Sequence, residues 1–124
     1  MTCLFCDKIF KKEDIIYENE TVVALYDQYP VSKGHVLIVP KRHIQTYFDA
    51  SFTEKTDVDQ AIMTLKTMLD ATYHPDGYNI GINNGIASGQ SIMHLHVHLI
   101  PRYVGDTLNP KGGVRGVIPG KQSY

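Results

Sequence analysis

The sequence contains little that is typical of a membrane, secreted or nucleic-acid-binding protein. Its 124 residues carry 12 basic and 13 acidic side chains, and a net charge of −1 predicts no general attraction to nucleic acid or to anionic membranes. No apolar run approaches the ~20 residues that a bilayer span needs. The start, Met1-Thr2-Cys3, has neither a basic region nor an apolar, signal-like stretch. We therefore expect a cytoplasmic protein that acts on neither a membrane nor a nucleic acid polymer.

Internal repeats and signs of a second domain are also absent. The length and the 43% apolar content are those of one ordinary globular domain over 1–124. Charge is unevenly distributed, because after Asp76 four basic side chains stand against Asp106 alone, and this local excess of positive charge favours a small anionic ligand. The segment 103–124 is rich in Gly and Pro, which predicts an extended arm over the body or a partner subunit.

Three of the six histidines alternate with aliphatic residues in one short stretch. Residues 94–99 read His-Leu-His-Val-His-Leu, so that His94, His96 and His98 recur at every second position. On a strand, alternate side chains share a face and lie roughly 7 Å apart, whereas on a helix these residues would spread over about 200° of arc. The pattern predicts a strand with an aliphatic face packed on a core and a histidine face available for chemistry. We call these three histidines the triad.

Three imidazoles on one strand allow two kinds of chemistry. Histidines two apart on a strand can share a catalytic zinc ion. Alternatively, a neutral imidazole can attack phosphorus and form a labile phosphoramidate that water then hydrolyses. Composition does not choose between the two.

Cys3 and Cys6 form a Cys-x-x-Cys pair near the start of the chain. A redox dithiol normally follows a strand in a βαβ unit, and no strand is predicted before this pair. A structural zinc site needs two further ligands, for which His43 and a triad histidine are candidates. Two buried cysteines without a role are the third alternative. A short helix over 4–12 is expected to follow.

The remaining pattern predicts strands around one long helix. The helix begins in Ser51-Phe52-Thr53-Glu54, which fits a capping box, and His74-Pro75-Asp76-Gly77 ends it. Its apolar residues recur at three and four positions and predict a core-facing stripe. Runs rich in β-branched residues predict a hairpin and two further strands. These runs are 15–18, 22–27, 34–40 and 78–83.

Two loops contain polar candidates. Asp27 closes a predicted strand, where it is either a turn residue or a carboxylate for ribose hydroxyls. The small residues of 84–89 precede the triad strand, and the backbone N–H groups of Gly89, Gln90 and Ser91 could cradle phosphate oxygens near Asn83.

The triad resembles the His-φ-His-φ-His-φ-φ signature of the histidine triad superfamily of nucleotide hydrolases and transferases. The blocks at 23–27, 34–41, 83–85, 89–91 and 101–102 are similar to those of that family in the same order. The resemblance implies an α+β fold with an antiparallel sheet of about five strands, one long helix and a short N-terminal helix. It also implies a homodimer with a continuous sheet.

The resemblance implies cleavage at the α-phosphorus of adenosine polyphosphates or nucleoside phosphoramidates, as in a diadenosine polyphosphate hydrolase. His96 would be the nucleophile, and the implied catalytic residues are His96, His98, Gln90, Ser91 and His35. The implied nucleotide-binding residues are Asp27, Asn83, Gly89, Gln90, Ser91 and His98. Two alternatives are a zinc-dependent hydrolase with the triad as metal ligands and a non-catalytic nucleotide-binding adaptor.

Family members of the bacterial type that carry a Cys-x-x-Cys pair hold a structural zinc ion. The resemblance implies that the ligands here are Cys3, Cys6, His43 and His94, which would assign one triad histidine to the scaffold. The tail departs from the family pattern: Gly105-Asp106 is more similar to the diadenosine polyphosphate hydrolase branch than to the phosphoramidase branch.

Overall fold

The computed structural model describes residues 3–124 and contains one antiparallel sheet flanked by two helices. The elements are helix α1 (Leu4–Lys11), strands β1 (Tyr17–Glu18), β2 (Val22–Tyr26) and β3 (Val36–Pro40), helix α2 (Phe52–Tyr73), and strands β4 (Gly77–Ile82) and β5 (Val97–Arg102). Short 3-10 helices lie at Tyr47–Asp49, Ile86–Ser88 and Gly113–Val117. The sequence analysis predicts no signal-like stretch at the start of the chain. Its first two residues, Met1 and Thr2, lie outside the described residues.

The five strands are arranged in the order β1-β2-β3-β5-β4, and each neighbouring pair is antiparallel. The triad strand β5 therefore lies inside the sheet, between β3 and the edge strand β4. The predicted α+β fold, with about five antiparallel strands, one long helix and one short helix, is confirmed.

Helix α2 begins and ends as its sequence predicts. The Ser51 side chain accepts a hydrogen bond from the Glu54 N–H (3.1 Å), and Glu54 Oε1 accepts one from the Ser51 N–H (2.8 Å), which completes the capping box. His74 closes the helix in the left-handed conformation (φ 53°), and its N–H donates to the Asp70 carbonyl. Pro75 follows and cannot continue the helix.

One face of the sheet packs against the apolar stripe of α2. Val97 and Leu99 from β5 contribute to this cluster, together with alternate residues of β2 and β3. The buried apolar residues of the helix are Val58, Ala61, Leu65 and Leu69. The aliphatic side of the triad strand therefore faces the core, as expected from its period of two.

The opposite face, which carries the histidines, is partly covered by α1. Phe5 exposes 2% of its surface and packs against residues of β2 and β3. Cys3 caps this helix, because its Sγ accepts a hydrogen bond from the Cys6 N–H (3.4 Å). The expectation of an open histidine face is therefore only partly right: His94 is fully buried, His96 exposes 9%, and His98 is half-buried.

Regular strand structure begins only at Val97, after the first two triad histidines. The partner strand β3 ends at Pro40, which has no N–H to continue the ladder. The Leu95 N–H donates instead to the Ile44 carbonyl (2.7 Å), and the Pro40 carbonyl lies 2.8 Å from His94 Nε2. The predicted strand is thus shorter at its start, although its alternation of faces is kept.

The last residues fold back on themselves instead of extending as an arm. The Gln122 side-chain amide donates to the carbonyls of Asn109 (2.9 Å) and Lys111 (3.1 Å), which closes a loop around the last 3-10 helix. The Tyr124 ring lies against the Arg115 guanidinium at 4.6 Å.

Neither helix of residues 3–124 has the length and apolar character that crossing a bilayer requires.

Candidate active site

A cavity of about 890 Å³ opens between α1, the segment before β1, and the histidine face of the sheet. His96 and His98 line one part of it, together with Asn83 and Ser91. Asp27, at the end of β2, lines its side. The sheet thus brings together five predicted site residues that are up to 71 positions apart in the chain.

The protonation of His96 follows from one backbone contact. Its Nδ1 lies 2.9 Å from the carbonyl oxygen of His94, and a carbonyl can only accept, so Nδ1 carries the proton. In the neutral ring Nε2 is then unprotonated and holds a free lone pair. The Phe5 ring lies 5.2 Å from the imidazole and limits its movement. A nearly buried histidine thus presents a nucleophilic nitrogen at the cavity wall.

A second chain of hydrogen bonds sets the tautomers of His35 and His98. The Val31 N–H donates to His35 Nδ1 (3.1 Å), so the proton of the neutral ring sits on Nε2. That Nε2 lies 2.9 Å from His98 Nδ1, to which it donates. His98 is therefore protonated at Nε2 and offers an N–H donor.

Burial keeps these two imidazoles neutral. Desolvation, followed by repulsion from His96 and His35, lowers the pKa of His98 to about 4, and Asp27 opposes this only weakly. Desolvation likewise lowers the pKa of His35, again against the Asp27 carboxylate. At neutral pH His35 and His98 therefore act as neutral hydrogen-bonding rings and not as imidazolium cations.

Asp27 has two contacts. Its Oδ1 accepts a hydrogen bond from the Tyr29 N–H (2.8 Å), which makes it a turn residue, and its Oδ2 lies 3.4 Å from His35 Nε2. Both alternatives considered from the sequence are compatible with this position, because the carboxylate also lines the cavity.

Asp27, His35 and His98 lie close enough to be considered as metal ligands, with one donor atom of each within 4.8 Å of the others. The hydrogen bonds argue against that use. His35 Nδ1 is occupied by the Val31 N–H, so Nε2 holds the proton and has no lone pair to give. These contacts favour a hydrogen-bonded relay over a metal site at the triad.

A second cluster, at the other end of the triad, suits a metal well. The donor atoms of Cys3, Cys6, His43 and His94 all lie within 4.8 Å of one another. The measured separations are 3.1 Å between the two Nδ1 atoms, and 3.2–3.5 Å between sulfur and nitrogen. A zinc tetrahedron with Zn–S ~2.3 Å and Zn–N ~2.0 Å has edges of about 3.3–3.8 Å.

The orientation of His94 fits the same use. Its Nε2 donates to the Pro40 carbonyl (2.8 Å), which leaves Nδ1 unprotonated and directed at the cysteines. Burial lowers the pKa of His94, so the ring is neutral at physiological pH. Two thiols and two imidazoles form the closed set of four that structural zinc sites use.

Gln90 and Gly89 lie differently from what the sequence predicts. The buried Gln90 side chain accepts from the Gly85 N–H (2.8 Å) and donates to the carbonyls of Gln45 (2.8 Å) and Ile92 (3.1 Å). The N–H groups of Gly89 and Gln90 bond within their own turn. Both side-chain N–H donors of Gln90 are thus engaged, and its amide holds the loop instead of pointing a donor at the cavity.

Known proteins resemble this chain in both sequence and fold. A family model described as "HIT domain" matches residues 10–105. The chain belongs to the HIT family. It is 39% identical over 107 residues to an uncharacterised HIT-like protein of Methanocaldococcus jannaschii, covering 84% of this chain and 81% of that protein. It is 33% identical over 113 residues to a bis(5'-adenosyl)-triphosphatase of Saccharomyces cerevisiae, covering 87% of this chain and 55% of the yeast enzyme.

A solved structure is similar in fold as well. The crystal structure of a zinc-bound histidine triad family protein from Mycobacterium smegmatis superposes with a TM-score of 0.79 at 31% identity. The alignment covers 88% of this chain and 81% of that one. The present chain carries a Cys-x-x-Cys pair, Cys3 and Cys6, as well as the triad.

Part of the HIT cavity wall has no motif in the sequence. Phe5 and Lys8 from α1, with Asp14 and Ile15 before β1, line the cavity beside the predicted residues. Their only sequence signal is that Phe5 stands between the two cysteines, which tie α1 to the triad. The role of the Val31 N–H in setting the His35 tautomer is a backbone property and carries no side-chain signal.

Proposed function

We propose that this HIT protein is a nucleotidyl hydrolase or transferase that cleaves adenosine polyphosphates, or related conjugates of a nucleoside monophosphate, at the α-phosphorus. The observation that carries the proposal is the hydrogen bond from His96 Nδ1 to the His94 carbonyl, which leaves Nε2 as a lone-pair donor at the cavity wall. A neutral imidazole with a fixed tautomer is a competent nucleophile toward phosphorus. The named activity of the yeast relative supports the same class of substrate.

The reaction proceeds by two displacements. The Nε2 lone pair of His96 forms a bond to the α-phosphorus, the bridging P–O bond breaks, and its electron pair leaves with the phosphate leaving group. Water then attacks the same phosphorus, the N–P bond breaks, and its electrons return to Nε2. A proton of the water passes to solvent, and the product is a nucleoside monophosphate. The His94 carbonyl stabilises the imidazolium of the intermediate through Nδ1–H.

The neighbouring groups hold the phosphoryl group and the sugar. His98 donates through Nε2–H to a non-bridging phosphate oxygen, and His35 positions His98. Ser91 and Asn83 reach the phosphate and the leaving group from the cavity wall, and Asp27 accepts from the ribose hydroxyls. Gly89 and Gln90 shape the loop that presents Ser91.

The protonation pattern favours a leaving group that needs no proton. A polyphosphate leaves as an anion, whereas an amine leaving group must be protonated. With a pKa of about 4, His98 is neutral, and a neutral imidazole N–H is a poor acid. This favours dinucleoside polyphosphates over nucleoside phosphoramidates as substrates.

The test is to replace the nucleophile and to trap the intermediate. His96→Asn is expected to reduce turnover of a dinucleoside polyphosphate by at least about 10³-fold, while nucleotide binding stays within about threefold of the natural chain. Mass spectrometry of the natural chain after a rapid alkaline quench, which preserves the acid-labile N–P bond, should show a nucleotidyl adduct on His96. Hydrolysis by His96→Asn at the natural rate would refute covalent catalysis. Binding of nucleotide with neither adduct nor turnover would instead support a non-catalytic adaptor.

We also propose that Cys3, Cys6, His43 and His94 hold a structural zinc ion. With four protein ligands the ion would have no open position, so its contribution is to tie α1 and the start of the triad segment together. Elemental analysis of protein purified without added metal is expected to give one zinc per chain. His43→Ala should lose the metal and melt at a lower temperature, whereas zinc retained in that variant would contradict the ligand set.

We propose a homodimer joined through the edge strand β4. Within residues 3–124 one side of β4 pairs with no other strand and can extend the sheet, and Ile80, on the same face as α2, is 49% exposed. Light scattering should give twice the chain mass, and Ile80→Lys should shift the equilibrium toward the monomer. A monomeric natural chain at micromolar concentration would refute the proposal.

A further inference from the structure

The cavity extends well beyond the triad. His98 on β5 pairs with Leu37 on β3, which pairs with Leu25 on β2, and β1 lies one strand further. At ~4.8 Å per strand, β1 lies about 14 Å from the phosphate-binding end. This distance is comparable to the length of a nucleoside monophosphate.

The cavity wall between these two ends is apolar. Phe5 from α1, Ile15 and Ile16 before β1, and Leu25 and Leu37 from the sheet line it. Apolar and aromatic walls of this kind bind the faces of a heterocyclic base. With its phosphate at the triad and its ribose at Asp27, a nucleotide would place its base between these side chains.

An ion pair stands at the far end of this apolar section. Lys8 Nζ lies 2.8 Å from Asp14 Oδ2 and 3.3 Å from Glu13 Oε1. Lys8 and Asp14 both line the cavity, and the Lys8 side chain is only 18% exposed. The hydrogen bond to Asp14 raises the pKa of Lys8 above its usual value, despite some desolvation, so the ammonium stays charged.

The backbone positions the base of the Asp14 side chain, which is itself 66% exposed. Asp14 adopts φ 64°, a left-handed conformation that few residues other than Gly, Asn and Asp tolerate. Lys8 lies on α1, which Cys3 caps and which Phe5 anchors in the core. The pair therefore joins two separately positioned segments at the far end of the apolar section.

We propose that Lys8 and Asp14 read the polar edge of a purine base, so that they determine the base specificity of the site. An ammonium can only donate and a carboxylate can only accept. Together they complement an edge on which a ring nitrogen acceptor neighbours an amino donor, as the N6 amino group does in adenine. The inference rests on the proposed function in one respect, namely that a nucleotide occupies this cavity.

The test uses two nucleotides that differ only in the amino donor. AMP carries it, and purine riboside 5'-monophosphate lacks it but keeps the ring nitrogens. Equilibrium binding to the full chain is expected to favour AMP about tenfold, because one hydrogen bond to a charged group is lost without the amino group. The measurement needs no turnover.

Three variants separate the contributions of Lys8 and Asp14 to the base preference. Asp14→Gly, which tolerates the positive φ, should bring the affinity ratio close to one, and Asp14→Asn should give an intermediate ratio. Lys8→Met keeps the aliphatic stem and the helix propensity, and it should weaken both nucleotides equally. Glu13→Gln is the matched control, because Glu13 also pairs with Lys8 but does not line the cavity, and its ratio should equal that of the natural chain.

Each outcome decides one of the two proposals or both. A natural chain that binds both nucleotides equally, or an Asp14→Gly variant that keeps the preference, would overturn the base assignment. If the preference of Glu13→Gln for AMP falls as far as that of Asp14→Gly, the base assignment is also overturned. The loss would then come from a change in the fold and not from a contact with the base. The expected ratios without turnover of dinucleoside polyphosphates would retain the base assignment and reject the catalysis. Absence of binding of either nucleotide would overturn both.

Discussion

The two faces of the central sheet are made by alternate residues of the same strands, yet they differ in content. The face toward α2 is closed and apolar, with Val97 and Leu99 of β5 packed against the helix stripe. The face toward α1 has a smaller apolar cluster around Phe5, and beside it lie the imidazoles and the large cavity. A period of two lets one strand serve packing on one side and chemistry on the other.

The triad itself divides between two environments. His94 is fully buried and directs Nδ1 at two cysteines and a histidine, whereas His98 is half-buried and bonded to His35. Between them His96 takes its proton position from the His94 carbonyl. Three chemically identical side chains at regular spacing therefore acquire three different settings from their neighbours.

The largest expected difference between the two faces is in stability. Leu65→Ala on the buried face of α2 should lower the free energy of unfolding by about 3 kcal/mol, because it leaves a cavity in the core. Urea denaturation followed by circular dichroism measures the change. Met63→Ala on the same helix is the control, and since Met63 is 61% exposed it should change stability by less than about 0.5 kcal/mol. Equal losses in both variants would contradict the burial of the α2 stripe against the sheet.

The histidine face should make stability depend on pH. His98 has a pKa of about 4 in the folded chain against an ordinary value of 6.5, so between these values the unfolded chain binds a proton that the folded chain does not. Stability is therefore complete above about pH 6.5 and falls as the pH is lowered toward 4, by ~3 kcal/mol for this one group. Unfolding free energies measured from pH 4 to 7 should show a shallower slope in His98→Gln. An unchanged slope would show that His98 is protonated equally in both states.

The smallest effects should separate two adjacent residues of one loop. Gln90→Ala leaves the Gly85 N–H and two carbonyls without partners and should cost about 1–2 kcal/mol of stability. Ser91→Ala should leave stability within about 0.5 kcal/mol and lower kcat/KM for dinucleoside polyphosphates by about tenfold. Thermal melting and steady-state kinetics on both variants test the contrast. If Gln90→Ala loses activity but keeps its stability, Gln90 contacts the phosphate as the sequence predicts.

Much of the fold could be predicted because its signals are local. The capping box of Ser51 and Glu54 lies within one helical turn, and the alternation in residues 94–99 assigns each side chain to a face. The alternation does not indicate which element covers each face. Eight residues of α1 lie over the histidine face and change His96 from an accessible ring to one that exposes 9%.

The sequence predicted several residues that the fold brings together at the cavity, but it did not predict their contacts. The blocks similar to the histidine triad family led to His35, His96 and His98, and to the cluster of Cys3 and His43. They also led to a phosphate contact for Gln90, whose amide holds a loop here. They contained no signal for Lys8 and Asp14, because an ion pair between two short segments leaves no periodic pattern.

By itself the sequence determined the strands, the long helix and the spacing of the histidines, because backbone geometry acts over a few residues. Only the tertiary structure decided which nitrogens of His35, His94 and His98 carry protons. Pro40 and His94, 54 residues apart, come within 2.8 Å, and His35 and His98, 63 residues apart, come within 2.9 Å. A proton position depends on the partner at hydrogen-bond distance, and chain folding alone brings such partners together.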